Sequence, residues 1–120
     1  MRDYTKIEAW KLADELTLAI YRSTKSFPRE EVYGITSQLR RSATSVPANI
    51  VEGSSRNTNK DYLHFLYIAR GSLSETQYFV HLSTRLDYLT TEEANKLKTQ
   101  IKKTFACLHG LIKAVSKEIP

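Results

Sequence analysis

The side chains that could carry out metal or nucleophilic chemistry are few and scattered in this chain of 120 residues. His64, His81 and His109 have no partners at the spacing of metal ligands. A di-iron site in a helical bundle needs Glu-x-x-His on two helices, and that motif does not occur. Cys107 lies beside the apolar seam of its helix, which favours a buried thiol over a nucleophile. There is no phosphate-binding loop and no nucleophile elbow. The sequence therefore predicts no enzyme, no metal site and no cofactor.

Residues 33–56 indicate a second possibility, a network of paired polar side chains. Read as a helix, this stretch has an apolar stripe and an opposite stripe of hydroxyls, amides and a carboxylate. Such a helix is typical of one covered on both sides, with polar groups paired inside the protein or across a subunit interface. A solvated polar face is the alternative, and it is equally open for Glu75. Because an unpaired buried carboxylate is costly, we expect a network that fixes helix register or joins subunits. Its candidate members are Arg41, Asn49, Glu52 and Glu75.

The formal net charge of +5 is unevenly distributed. Residues 33–70 carry five positive and two negative charges, and residues 94–120 carry six lysines and one glutamate. This excess permits binding to nucleic acid without requiring it. No recognition helix or aromatic-rich single-strand motif is present, so we expect contacts to phosphates. Arg41 is left out because we expect it to be engaged internally. The candidate contacts are Arg40, Arg56 and Lys60 near the second loop, and Lys98, Lys102 and Lys103 on the last helix.

Four amphipathic helices with short loops must position these side chains. The pattern predicts helices over residues 5–26, 35–53, 60–89 and 91–116. Phe27-Pro28 should end the first helix, and Pro47 should kink the second or shift its phase. Thr90 and Glu93 have the spacing of a capping box for the fourth. The chain is therefore expected to be one all-α domain over residues 1–120, an antiparallel up-down-up-down four-helix bundle.

Location and assembly follow from the same sequence. No apolar run approaches the roughly 18 residues of a membrane span, and the first residues lack the apolar core of a signal peptide. A single cysteine excludes an internal disulfide, which favours a cytoplasmic setting. The second and third helices each have more than one packing face, and tyrosines on the outer faces are typical of interfaces. We therefore expect a homo-oligomer.

Several segments together resemble a known family. They are AWKLA at residues 9–13, Phe27-Pro28 with Glu31, YGITSQLRRSATSVPANIVEG at residues 33–53, and FLYIARGSLSE at residues 65–75. Over nearly its whole length, the chain closely resembles small bacterial proteins encoded within intervening sequences of 23S rRNA genes. These proteins are often labelled S23 ribosomal proteins. The resemblance implies an up-down four-helix bundle that assembles as a homopentamer, with no established enzymatic activity. A related branch, the accessory protein of diversity-generating retroelements, implies a basic pentameric barrel that binds nucleic acid and a reverse transcriptase.

Two functions from different classes remain open on the sequence alone. The first is a non-enzymatic assembly protein that associates with RNA or DNA through basic surfaces. The second is a protein-binding structural scaffold, or a reverse-transcriptase accessory subunit, with no direct role in binding nucleic acid. A continuous positive surface on the folded protein would favour the first.

Overall fold

The structure, a computed structural model, describes residues 2–120 and confirms the all-α fold. Four long helices account for most of these residues, and two short 3₁₀ turns cover residues 4–6 and 29–31. No strand occurs within the described range. The molecule measures 48 × 24 × 20 Å, as expected of helices lying side by side. The helices are α1 (Glu8–Thr24), α2 (Ile35–Ser54), α3 (Asn59–Arg85) and α4 (Thr91–Lys117).

Side-chain caps set where the helices begin. The Asp3 carboxylate accepts from the backbone N–H of Thr5 at 3.0 Å, which closes a 3₁₀ turn, so α1 begins three residues later than predicted. Thr58 accepts from the N–H of Asp61 at 3.1 Å and caps α3. The predicted capping box of α4 is confirmed, with both bonds between Thr90 and Glu93 at 3.1 Å.

The end of α3 differs from the prediction, because the helix stops at Arg85 and not at residue 89. Asp87 has φ of 61°, the left-handed conformation that commonly terminates helices. Its N–H donates to Thr84 O at 3.1 Å, and the N–H of Tyr88 donates to Ser83 O at 2.9 Å. These two bonds satisfy carbonyl groups at the helix end. Glycine is the usual residue in this conformation and would have indicated the helix end in the sequence. Here the position is occupied by an aspartate.

Helix α2 continues through Pro47 without a break. Proline has no N–H, so the carbonyl of Ala43 four residues earlier loses its helical partner. The Thr17 hydroxyl of α1 lies 3.1 Å from that oxygen, and 2.9 Å from Ala13 O of its own helix. The neighbouring helix thus supplies a polar contact where proline removed one. The predicted apolar stripe is buried on both sides of the proline and comprises Ile35, Leu39, Ala43, Val46 and Ile50.

Consecutive helices run antiparallel, as their side-chain contacts show. Arg40, near the start of α2, bonds to Thr24 at the end of α1. Ser42 and Ser45 of α2 meet Thr76 and Ser72 of α3 in reversed order. At the end of the bundle, Asn59 in the first turn of α3 donates to Glu118 beyond α4. Apolar side chains from all four helices fill the space between them, which is the main stabilising contribution to the fold. The largest of these include Leu16, Leu39, Leu66, Leu73 and Leu108.

Candidate nucleic-acid interface

After its first two turns, α4 carries exposed lysines and no acidic residue. From residue 97 to residue 117 the chain contains five lysines and no aspartate or glutamate. All five are exposed, and none has an ion-pair partner within residues 2–120. Lys96, just before this segment, differs because its Nζ lies 3.5 Å from Glu92 Oε1. We call the five unpaired lysines the α4 face: Lys98, Lys102, Lys103, Lys113 and Lys117.

The spacing of these lysines makes the α4 face a suitable surface for a polyanion. Helical geometry gives about 29 Å between the first and the last lysine of the row. Like charges on one helix repel one another, and a bound chain of phosphates relieves that repulsion. Sequence reasoning identified Lys98, Lys102 and Lys103 but missed Lys113 and Lys117. The signal that could have found them is the absence of acidic residues from residue 97 to residue 117.

Arg56 and Lys60 lie at the turn between α2 and α3, as predicted. Arg56 pairs with Glu52 one helical turn earlier, with Nη2 and Oε1 2.5 Å apart. Its guanidinium also lies 4.5 Å from the centre of the Phe65 ring. Both partners of the ion pair are about half exposed, so Arg56 remains accessible to an anion. Lys60 is exposed in the first turn of α3 and has no ion-pair partner in the described residues.

Arg40 lies in a different place from the one predicted. The helical rise from Arg40 to Ser54, the last residue of α2, is about 21 Å, and Arg56 lies beyond that end. Arg40 therefore packs against the end of α1 and not near the second loop. Its Nε–H donates to Thr24 Oγ1 at 2.8 Å, and its guanidinium lies 4.7 Å from the Tyr21 ring centre. Arg40 is half-buried and holds two helices together, which the charge pattern alone did not reveal.

Arg41 is exposed, contrary to the expectation that it would be engaged within the chain. No ion pair joins it to another described residue. It borders a shallow cavity of about 370 Å³ between α2 and α3, and Glu75, also exposed, borders the same cavity. Arg41 is therefore not engaged by an ion pair within the described part of one chain, and its engagement across a subunit interface stays a prediction. The other residues of this cavity are Gln38, Ser42, Ser45 and Ser72.

Along the seam between α2 and α3, the polar groups that pair are hydroxyls and an amide, not ion pairs. Ser45 Oγ lies 2.8 Å from Ser72 Oγ, and Asn49 Nδ2 donates to Ser45 Oγ at 2.9 Å. One turn away, Thr76 Oγ1 lies 3.0 Å from Ser42 Oγ in a buried contact. Of the four predicted network members, only Asn49 takes part. Arg41, Glu52 and Glu75 lie outside this seam. That they contribute to contacts between subunits stays a prediction.

The outer surface of α3 differs from that of α4 because it exposes several large aromatic and apolar side chains among its polar residues. Tyr67, Ile68 and Tyr78 are 45%, 39% and 56% exposed. Gly71 lies among them in helical spacing, and a Cβ placed there would meet no atom within 4 Å. Exposed aromatic side chains around a small residue are typical of surfaces that pack against another protein. We call Tyr67, Ile68, Gly71, Glu75 and Tyr78 the α3 face.

Two tyrosines have altered acidity, and in both the cause is structural. Burial raises the pKa of Tyr62, and the positive charge of Arg2 opposes that rise. The hydrogen bond from the Tyr88 hydroxyl to Glu31, 2.8 Å long, raises the pKa of Tyr88. Within residues 2–120, no three of the His, Cys, Asp and Glu side chains are grouped so that they could hold a metal ion. None of the described helices is long and apolar enough to span a bilayer.

Comparisons with known proteins agree with the fold and with the sequence segments. Residues 5–110 match the family described as 23S rRNA-intervening sequence protein. The chain is also similar to a crystal structure of a protein with unknown function from the S23 ribosomal protein family of Bacteroides thetaiotaomicron. That similarity has a TM-score of 0.81 at 25% sequence identity, over 88% of this chain and 98% of the other. No curated protein matches the chain. Because the family match spans most of its length, the chain belongs to the 23S rRNA-intervening sequence protein family.

Proposed function

We propose that this protein is a non-enzymatic, cytoplasmic four-helix bundle that assembles as a homo-oligomer and binds RNA through its basic surfaces. The observation that carries the proposal is the α4 face, five exposed lysines in a segment, residues 97–117, that contains no acidic residue. The description of the family refers to an intervening sequence of 23S rRNA, which makes RNA the first nucleic acid to test.

The recognition proposed here is electrostatic and independent of base sequence. Lysines bind phosphates as point charges and carry no information about the bases. Binding releases counterions condensed on the nucleic acid, so affinity falls steeply as salt rises. Lys60 and Arg56, at the end of the bundle to which the last turn of α4 runs, extend the same kind of contact beyond α4.

Assembly strengthens such weak contacts. We propose that the α3 face packs against a second copy of the chain, and that copies associate as a ring, with the pentamer as the first expectation. A ring repeats the α4 face once per subunit, and repeated weak contacts give avidity. Covering the exposed apolar area of α3 stabilises the assembly by about 25 cal/mol per Å² of area buried.

The absence of catalysis is part of the proposal, and the packing of the bundle supports it. The inward positions between the helices are filled by apolar side chains such as Leu66, Leu73 and Leu108. His64, His81 and His109 are all exposed on outer surfaces. Catalytic groups usually converge in a cleft with shifted acidities, and these side chains do not converge.

The experiment is a fluorescence-anisotropy titration of a generic RNA and of duplex DNA at low salt. The test variant replaces Lys98, Lys102 and Lys103 by glutamate. A matched control replaces Lys6, Lys25 and Arg85, which are exposed on other parts of the molecule. Each triple variant lowers the formal net charge by six, from +5 to −1. We expect the α4 variant to lose at least about tenfold in affinity for every sequence, equivalent to about 1.4 kcal/mol, and the control to lose much less.

The outcomes separate the proposal from its alternatives. Equal losses in both triple variants would mean that net charge, not the α4 face, drives binding. An absence of binding at low salt would contradict the proposal. A protein-binding scaffold, or a reverse-transcriptase accessory subunit without nucleic-acid contact, would then be favoured. The α3 face and Tyr33, which is 98% exposed, support that second function because both present aromatic surface to a partner.

A further inference from the structure

A cavity of about 520 Å³ lies at the end of the bundle where the first residues, the α2–α3 turn and the residues after α4 meet. Two arginine side chains line it, together with amide and hydroxyl groups and a single carboxylate. It is separate from the α4 face. Its lining residues are Arg2, Ser55, Arg56, Asn57, Asn59 and Glu118.

Arg2 is held firmly at one side of this end cavity. Its Nη1 donates to the carbonyl of Arg56 at 2.8 Å and to that of Ser54 at 3.3 Å, and its Nη2 donates to Asn59 Oδ1 at 2.5 Å. The guanidinium also lies 4.3 Å from the centre of the Tyr62 ring. A guanidinium has five N–H donors, so Arg2 retains donors beyond these three bonds.

Arg56 also lines the end cavity, and most of its donors are unused. Its Nη2 bonds to Glu52, and its guanidinium lies over the Phe65 ring, so the group is fixed in orientation. No other side-chain bond of Arg56 occurs within residues 2–120. Because both guanidiniums are fixed before any ligand arrives, binding would cost little side-chain entropy.

The remaining groups of the cavity define what it could accept. Asn57 is exposed, and its side chain makes no hydrogen bond to the described residues. Glu118 is the one carboxylate of the lining, and its Oε2 accepts from Asn59 Nδ2 at 3.1 Å. Two fixed guanidiniums and a free amide match the oxygens of a phosphate group, which arginine binds in a bidentate manner.

We propose that the end cavity binds a phosphate monoester between Arg2 and Arg56. The same chemistry is presented by inorganic phosphate and by the terminal phosphate of a nucleic acid. The inference does not depend on RNA binding by the α4 face, because it rests on different residues. If the terminal phosphate is the source, the end cavity adds a preference for phosphorylated ends to binding that is otherwise independent of sequence.

The first measurement is a calorimetric titration of the full chain with inorganic phosphate in chloride buffer at constant ionic strength. Asn57→Asp places a carboxylate in the cavity without removing any contact seen in the structure, so it should fold normally. We expect it to weaken phosphate binding about tenfold or more by like-charge repulsion. The control is Asn95→Asp, the same change at an exposed position on α4. Glu118→Gln should strengthen phosphate binding, because it removes the one carboxylate of the cavity lining.

The second measurement compares two otherwise identical RNA oligonucleotides, one with a 5′-phosphate and one with a 5′-hydroxyl. Tighter binding of the phosphorylated RNA, lost in Asn57→Asp and kept in Asn95→Asp, supports the terminal phosphate as ligand. Binding of inorganic phosphate with no difference between the two RNAs supports free phosphate. No response of the wild type to either ligand, or equal responses in both aspartate variants, would overturn the inference. Salt-dependent RNA binding through the α4 face would be unaffected by that failure.

Discussion

Helices α3 and α4 are neighbours of equal length, 27 residues each, yet their outer faces have opposite chemistry. Both helices bury an apolar inner stripe in the same core. The α3 face exposes aromatic and apolar groups around Gly71, whereas the α4 face exposes lysines in a segment, residues 97–117, without acidic residues. The difference shows how a bundle with a common core can present two separate surfaces, one suited to protein and one suited to a polyanion.

The two faces respond to water in different ways. Exposed tyrosine and isoleucine side chains favour association, because covering them with another apolar surface removes apolar area from water. Lysine ammonium groups are strongly hydrated and gain from a partner mainly when it brings several negative charges together. We therefore expect variants of the α3 face to change the mass of the assembly, and variants of the α4 face to change affinity for nucleic acid.

The largest expected effect is loss of the oligomer when the α3 face is made charged. Replacing both Tyr67 and Tyr78 by glutamate puts two carboxylates on the surface proposed to be covered, where burial without a partner is costly. We expect the assembly to dissociate to single chains in light scattering coupled to size exclusion. Leu18→Glu on α1, where the leucine is 50% exposed, is the control and should keep the wild-type mass. A double variant that keeps its oligomeric mass would contradict the assignment of this face.

A smaller effect is expected from the charged member of the α3 face. Glu75 and Arg41 are exposed beside one cavity and unpaired within the described chain, so a contact between subunits would pair them. Removing one partner of a buried ion pair costs about 3–5 kcal/mol, so Glu75→Ala should raise the concentration at which the assembly dissociates. Sedimentation at a series of protein concentrations measures this. An unchanged dissociation constant would place Glu75 on the solvated surface.

Two glycines provide a matched pair that distinguishes the faces. Gly71 on α3 and Gly110 on α4 are both exposed helical residues with open space where a Cβ would lie. Gly110→Ala should stabilise the protein by about 1 kcal/mol, since alanine favours the helix. Gly71→Ala should give less, because a second copy fills that space in the proposed assembly. Thermal melting above the concentration of assembly compares the two, and equal gains would count against packing at Gly71.

The smallest effect is expected at Glu52. Its ion pair with Arg56 joins two half-exposed side chains, one in the last turn of α2 and one just beyond the end of that helix. Such surface pairs contribute about 0–1 kcal/mol, so Glu52→Ala should shift the denaturant midpoint only slightly and leave the oligomeric mass unchanged. A loss of several kcal/mol would show that Glu52 belongs to a network between subunits, as the sequence pattern of α2 suggested.

The elements of the fold could be predicted because their signals are local. Periodic apolar residues, the Thr90–Glu93 capping box and the Phe27-Pro28 stop each depend on residues close in sequence. The end of α3 could not be predicted, because Asp87 adopts a conformation usually taken by glycine. The predicted burial stripe of α2 continues past Pro47, where the Thr17 hydroxyl, 26 residues before Ala43 in the chain, contacts the freed Ala43 carbonyl.

The candidate site was predictable in its charge and not in its contacts. A run of lysines without acidic residues on one helix remains at the surface, so the α4 face follows from composition. The role of Arg40 depends on Tyr21 and Thr24 of another helix, and that of Arg2 depends on the α2–α3 turn more than 50 residues away. Tertiary packing decides whether an arginine at such a position faces solvent or contacts another part of the chain. A single sequence does not show that packing.

The most direct test of the account counts the phosphates that the α4 face neutralises. The affinity for a generic single-stranded RNA is measured at several salt concentrations for the wild type and for the variant Lys98→Gln, Lys102→Gln and Lys103→Gln. Each phosphate contact on a single strand contributes about −0.7 to the slope of log affinity against log salt concentration. We predict that the variant has a slope shallower by about 2, with weaker binding to all sequences. An unchanged slope would contradict the assignment of RNA binding to α4.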